Sequence, residues 1–183
     1  MSRPLLSFPS GIAAAVALAL LSCPSGTVRA QSLFAGVRAD MTAAQLLATV
    51  PGAGVPTAPR RLHGGDRERV RIDGLHLGGH AFIGRAYYRD GRLSQLSLDL
   101  ARRDLPPAAA LAAYDAVLAD LEAGHGAPSH RRDFLDDPLA PEREARWRSR
   151  DADITLLYLG NGDGSGRFLS VLNVVFRPLP AGG

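Results

Sequence analysis

His76 and His80 stand four residues apart, the spacing that aligns two metal ligands on a helix face, and Asp73 is close enough to be a third ligand. The stretch Leu75-His76-Leu77-Gly78-Gly79-His80 does not read as helix. In a strand the two imidazoles would stand about 13 Å apart, and only a bulge at Gly78-Gly79 would bring them together. Solvated loop histidines are the plainer reading, and a His/Asp metal-dependent enzyme is its rival. His125 and His130 flank the Gly126-Ala127-Pro128 turn, with Asp133, Asp136 and Asp137 downstream. Such a set can move protons, but nothing beside it supplies an activated nucleophile. Ser165 has Asp163 and Arg167 where a nucleophile elbow requires glycines. The expectation is therefore a non-enzyme, with no catalytic residue, no metal and no cofactor.

Asn161-Gly162-Asp163-Gly164-Ser165-Gly166 alternates oxygen ligands and ends on glycine, as a calcium loop would. The twelfth position, where such a loop needs a bidentate glutamate, is Leu172. No lysine and no helix follow, so the glycines do not make a nucleotide loop either. A glycine-rich hairpin turn accounts for them better.

Recognition chemistry is more plausible than catalysis. Trp147 lies between Arg146 and Arg148, and tryptophan with arginine dominates binding hot spots. Strand alternation gives a competing account, with Trp147 in the core and the arginines in water. Tyr87 and its neighbour Tyr88 must face opposite ways, which leaves at least one near the surface. Trp147, Arg146, Arg148 and Tyr87 are the binding candidates.

All 21 basic residues are arginine, against 18 acidic ones. They alternate with acids in Asp66-Arg67-Glu68-Arg69 and Glu142-Arg143-Glu144 rather than clustering. Nucleic-acid binding would want a concentrated basic face with stacking aromatics, so that partner is excluded. The other partner left is an envelope protein or peptide.

That compartment follows from residues 1–30. Arg3 precedes the apolar run Gly11–Leu21, which falls short of the roughly 20 residues a spanning helix needs. Val28-Arg29-Ala30 offers small residues where a signal peptidase reads, so the expectation is a signal peptide cleaved after Ala30 and a periplasmic or secreted domain over 31–183. Leu20-Leu21-Ser22-Cys23 competes as a lipoprotein box that would lipidate Cys23 and make the protein membrane-anchored. Cys23 is the single cysteine, which excludes an internal disulfide or thiolate zinc site from the domain.

The elements follow from periodicity. Thr42 and Gln45 have capping-box spacing, and Pro51-Gly52 ends that helix. Asp90-Gly91 marks a hairpin that sets Arg89 opposite Arg92 and puts Ala81, Ile83, Leu96, Leu98 and Leu100 on the buried face. Leu111, Tyr114, Leu118 and Leu121 form the stripe of a main helix ended by Gly124. Residues 51–65 read as loop, and one short strand is expected near Arg132 to Leu135. Ile154 to Leu159 and Phe168 to Phe176 are apolar on both sides, which predicts central strands covered on both faces. The fold class is α+β: helix then β-meander, twice (34–100 and 106–176), in one antiparallel sheet covered on one face by helices.

Gly36, Thr42, Gln45 and Leu46, then Tyr88, Asp90, Gly91 and Leu93, form a pattern of capped helix, Pro-Gly stop and Tyr-x-Asp-Gly-x-Leu hairpin. It resembles small bacterial envelope domains of the BamE (SmpA/OmlA) and beta-lactamase-inhibitor-protein-like type. The resemblance covers about half of one repeat. It implies an accessory or inhibitory binding role without catalysis, including a lipid-anchored assembly accessory.

Overall fold

The computed structural model describes residues 32–149, 151–163, 165 and 168–180. Thr42 begins the first helix: its hydroxyl accepts from the Gln45 amide at 3.2 Å, and the Gln45 carboxamide oxygen accepts from the Thr42 amide at 2.9 Å. Helix α1 (Ala43–Thr49) follows, with Met41 and Leu46 buried on either side of the cap. Gly52 then turns the chain at φ +76; a Cβ there would meet the Asp73 carbonyl oxygen at 2.2 Å, so only glycine fits.

Strands β1 (Ser32–Phe34) and β2 (Val37–Arg38) form a small ribbon. Strands β3 (Ala53–Gly54), β4 (Arg67–Leu77), β5 (His80–Arg89), β6 (Arg92–Leu100), β7 (His130–Phe134), β8 (Glu142–Arg148), β9 (Ala152–Gly162) and β10 (Phe168–Pro178) make one sheet. Helix α2 (Pro107–His125) lies between β6 and β7 in the chain. The sheet order is β3-β4-β5-β6-β10-β9-β8-β7, antiparallel throughout. The class is α+β, but sheet-dominated: β6 and β10 pair directly, so the expected helix-then-meander units are not separate packages. The small β3 lies in the stretch expected to be loop.

One face of the sheet carries the core. Val70, Ile72, Phe82, Ala86, Leu96, Leu98, Ile154, Leu156, Tyr158, Leu172, Val174 and Phe176 are all buried there, together with residues of both helices. Each large aliphatic side chain so buried contributes about 1.5–3 kcal/mol. Helix α2 presses Ala110, Ala113 and Val117 down beside the predicted Tyr114, Leu118 and Leu121, because alanines allow close approach. It runs past Gly124 to His125, and Gly126 at φ +78 ends it. The tight Gly78-Gly79 turn of β4–β5 seats under α2, where a Cβ on Gly78 would meet the Ala116 backbone at 2.7 Å.

The β5–β6 register differs from the expected one. Arg89 does face Arg92, but Tyr88 pairs with Leu93 while Tyr87 pairs with Gln95, leaving Ser94 as a bulge. Its hydroxyl donates to the Tyr87 carbonyl oxygen at 3.1 Å. The single extra residue moves Phe82 opposite Leu100 and Gly84 opposite Leu98, so the buried set on β5 is Phe82, Ala86 and Tyr88, not Ala81 and Ile83.

Candidate functional site

The second face of the sheet divides into two unlike halves. Over β4–β6 the chain between Val55 and Asp66 lies as a roof. The Arg60 amide donates to a Glu68 carboxylate oxygen at 2.9 Å, and the Glu68 amide donates to the Arg60 carbonyl oxygen at 2.9 Å. Beneath it Arg85 joins two acids: Nη1 to Glu68 at 2.8 Å and Nε to Asp99 at 3.0 Å. Arg60 reaches Asp99 from above at 3.7 Å. Burial works against the Arg85 charge, but the hydrogen bonds that Arg85 donates to Asp99 and Glu68 outweigh that and raise its pKa. Tyr87 is buried in this layer, and its hydroxyl pKa is raised by burial and by the Glu68 and Asp99 charges.

Over β7–β10 no counterpart of that roof exists among the described residues. Phe134, Glu142, Leu159 and Val171 face one another across four strands in one row. Phe134, Leu159 and Val171 are exposed, as are Leu135, Leu139 and Leu169 nearby. Six of the seven exposed large apolar side chains of the described residues thus lie on these strands or the loop between them. Half-buried Leu157 and Val175 continue the apolar surface towards β6. They line a groove of about 510 Å³ with Glu144, Arg146, Thr155 and Arg177. Arg146 pairs with Glu144 at 2.6 Å, and the Arg177 guanidinium donates to Gln95 at 3.2 Å. Asn173 closes the inner end by donating to Asp99 and Ser97 at 2.7 and 2.8 Å. The arrangement offers apolar area, a few oriented polar groups and the free edge of β7, all suited to recognition.

The sequence-derived candidates fall in different places. Trp147 is in the core, donating from its indole to the Gly126 carbonyl oxygen at 2.8 Å, so it is no surface anchor. Arg146 and Arg148 stand exposed on the open face beside the groove. Tyr87 lies under the roof and Tyr88 in the core, so neither is at the surface as expected. His76 and His80 are not brought together: they flank the β4–β5 turn, with His76 opposite Ala81 and His80 opposite Leu77. Gly78-Gly79 forms that turn rather than a bulge, His76 Nδ1 lies 3.1 Å from the Gly74 carbonyl oxygen, and Asp73 pairs with Arg71. Among the described residues no three His, Cys, Asp or Glu side chains are grouped for a metal. Cys23 and the proposed cleavage sites lie outside the described residues, as do Gly164 and Gly166 of the glycine-rich turn.

Leu159, Leu169 and Val171 were legible as apolar but not as exposed, nor Leu157 and Val175 as only half-buried, since alternation carries no information about which face is covered. No protein-family model, no curated protein and no solved structure matches this chain.

Proposed function

We propose that this chain is an exported, non-catalytic envelope module that binds another envelope protein or a peptide on the open face of β7–β10. The observation that carries this reading is the apolar row Phe134–Leu159–Val171, continued by Leu169, standing exposed beside a charged groove. A surface of this kind marks an interaction site more often than a bare fold does. The mirrored strand order, with four strands after each helix, supports a two-repeat ancestry of the BamE or beta-lactamase-inhibitor-protein-like kind, in which helix-then-meander halves have fused into one sheet.

A photo-crosslinking residue at Val171 or Leu169, in cells that make the protein, should give one discrete adduct. The same residue at Val55, exposed on the roof, should give none. Silence at both open-face positions overturns the reading. Intact-mass analysis of the mature chain settles its tether: a start at Gln31 means a free periplasmic or secreted domain, and an acylated Cys23 an anchored one.

A further inference from the structure

Eleven of the seventeen described arginines sit in ion pairs with carboxylates. Four of the others, Arg61, Arg67, Arg69 and Arg92, gather at one end of the sheet, where Arg61 bridges to Arg67 and Arg92 faces Arg89. A chain that neutralises most of its guanidinium groups leaves these near one another. An open cleft of about 710 Å³ lies at the same end, between the start of α1 and the β5–β6 turn. Arg67, Arg69 and Arg89 line it, with Tyr88, Ala43 and Ala44 forming its less polar wall.

One further feature fits this cleft for a ligand. Arg89 is held in place by Asp66, whose carboxylate takes its Nε, and by the Gly64 carbonyl oxygen at 3.3 Å. Burial pushes the Asp66 carboxyl up, but hydrogen bonds from Ser94 and Arg89 outweigh it, keeping the acid ionised to low pH. The one acid on the lining is Asp90, and since Arg89 is paired with Asp66, Arg67 and Arg69 are the lining cations without an ion pair. Guanidinium forks match the oxygens of a phosphate in pairs and cannot lose their charge at any ordinary pH.

We propose that the cleft between α1 and the β5–β6 turn is a binding site for a small organic phosphate. Its phosphate sits among Arg67, Arg69 and Arg89, and its organic body lies against Tyr88 and the α1 alanines. The volume suits a compact metabolite-sized molecule rather than a bare ion. The site is on the helix side of the sheet end, away from the open face, and stands or falls independently of the partner proposed for that face.

Titration calorimetry of the mature protein tests it with glycerol phosphate, inorganic phosphate, citrate and glycerol, all at one ionic strength. Glycerol phosphate should bind, inorganic phosphate more weakly, and glycerol not at all. Arg67→Gln with Arg69→Gln should weaken glycerol phosphate at least tenfold, while Arg103→Gln, an exposed arginine elsewhere without an ion pair, should leave it unchanged. Both substituted side chains are exposed, and Arg69→Gln alone, expected to weaken binding severalfold, serves if the double variant fails to fold. No heat with glycerol phosphate overturns the site. Equal affinity for citrate overturns the phosphate assignment, and an equal loss in Arg103→Gln shows only general charge attraction.

Discussion

Strands β4–β6 and strands β8–β10 belong to one sheet and share one core, yet their outward side chains meet different surroundings. The first set points Glu68, Arg85, Tyr87 and Asp99 into a layer sealed by the chain from Val55 to Asp66. The second points Leu157, Leu159, Val171 and Val175 towards a surface with no such cover. A roof of irregular chain brings amides and an arginine that can satisfy buried carboxylates. Without one, the apolar side chains stay exposed, and this half of the sheet resembles an unfinished core. The lesson is that polarity and exposure are partly inverted here: Glu68 and Arg85 are covered while Phe134, Leu159 and Val171 are not.

The strongest way to break this contrast is Arg85→Ala. It would leave buried Glu68 without its cation, while Asp99 keeps Arg60 and Asn173, and loss of one member of such a buried pair costs about 3–5 kcal/mol. Urea unfolding measures it; a loss under about 1 kcal/mol would mean that water reaches the layer and the roof is not a seal.

Next is an alkaline limit that both halves should share, because their helix-side core is common. Burial pushes the Tyr88 hydroxyl, under the first half, up to about 12. Burial does the same to Tyr114 of α2, again up to about 12, with Arg143 opposing it. Both folded values lie above the ordinary tyrosine pKa of 10.0. The stability they confer is therefore complete below pH about 10 and lost as pH rises towards about 12. Tyrosinate absorbance should rise together with unfolding in one step across that window. Two separate steps would show that the halves melt independently.

The smallest effect sharpens the comparison from the open side. Leu169→Glu with Val171→Glu should change stability by no more than about 0.5 kcal/mol each, since both side chains are already exposed. Thermal melts and the loss of the crosslinked adduct check the two halves of that statement. A large stability loss would show that these side chains are covered in solution.

Local signals with a backbone mechanism were readable in the sequence. Thr42 and Gln45 make the reciprocal cap that their spacing requires, and Asp90-Gly91 makes the turn that sets Arg89 opposite Arg92. The doubly apolar segments Ile154–Leu159 and Phe168–Phe176 do occupy the sheet centre. What failed was non-local. The Ser94 bulge is stabilised by one side-chain bond and reverses the inward set of β5, which no alternation count detects. Cover on the second face depends on where a Pro- and Gly-rich loop settles, and the same composition could have lain elsewhere. The alternation of Asp66-Arg67-Glu68-Arg69 reads as mutual neutralisation, but Glu68 points under the roof while Arg67 and Arg69 line the cleft, and a bulge between Glu68 and Val70 turns Val70 to the core face opposite Glu68.

The seam between β6 and β10 joins residues more than seventy positions apart, Asp99 with Asn173 and Leu96 with Phe176. Until β10 docks, β6 therefore keeps a bare hydrogen-bonding rim. Loss of β10 would thus leave two exposed rims, on β6 and β9, in the middle of the layer rather than a trimmed margin. The folding chain is most exposed to sticking to its neighbours until β10 docks.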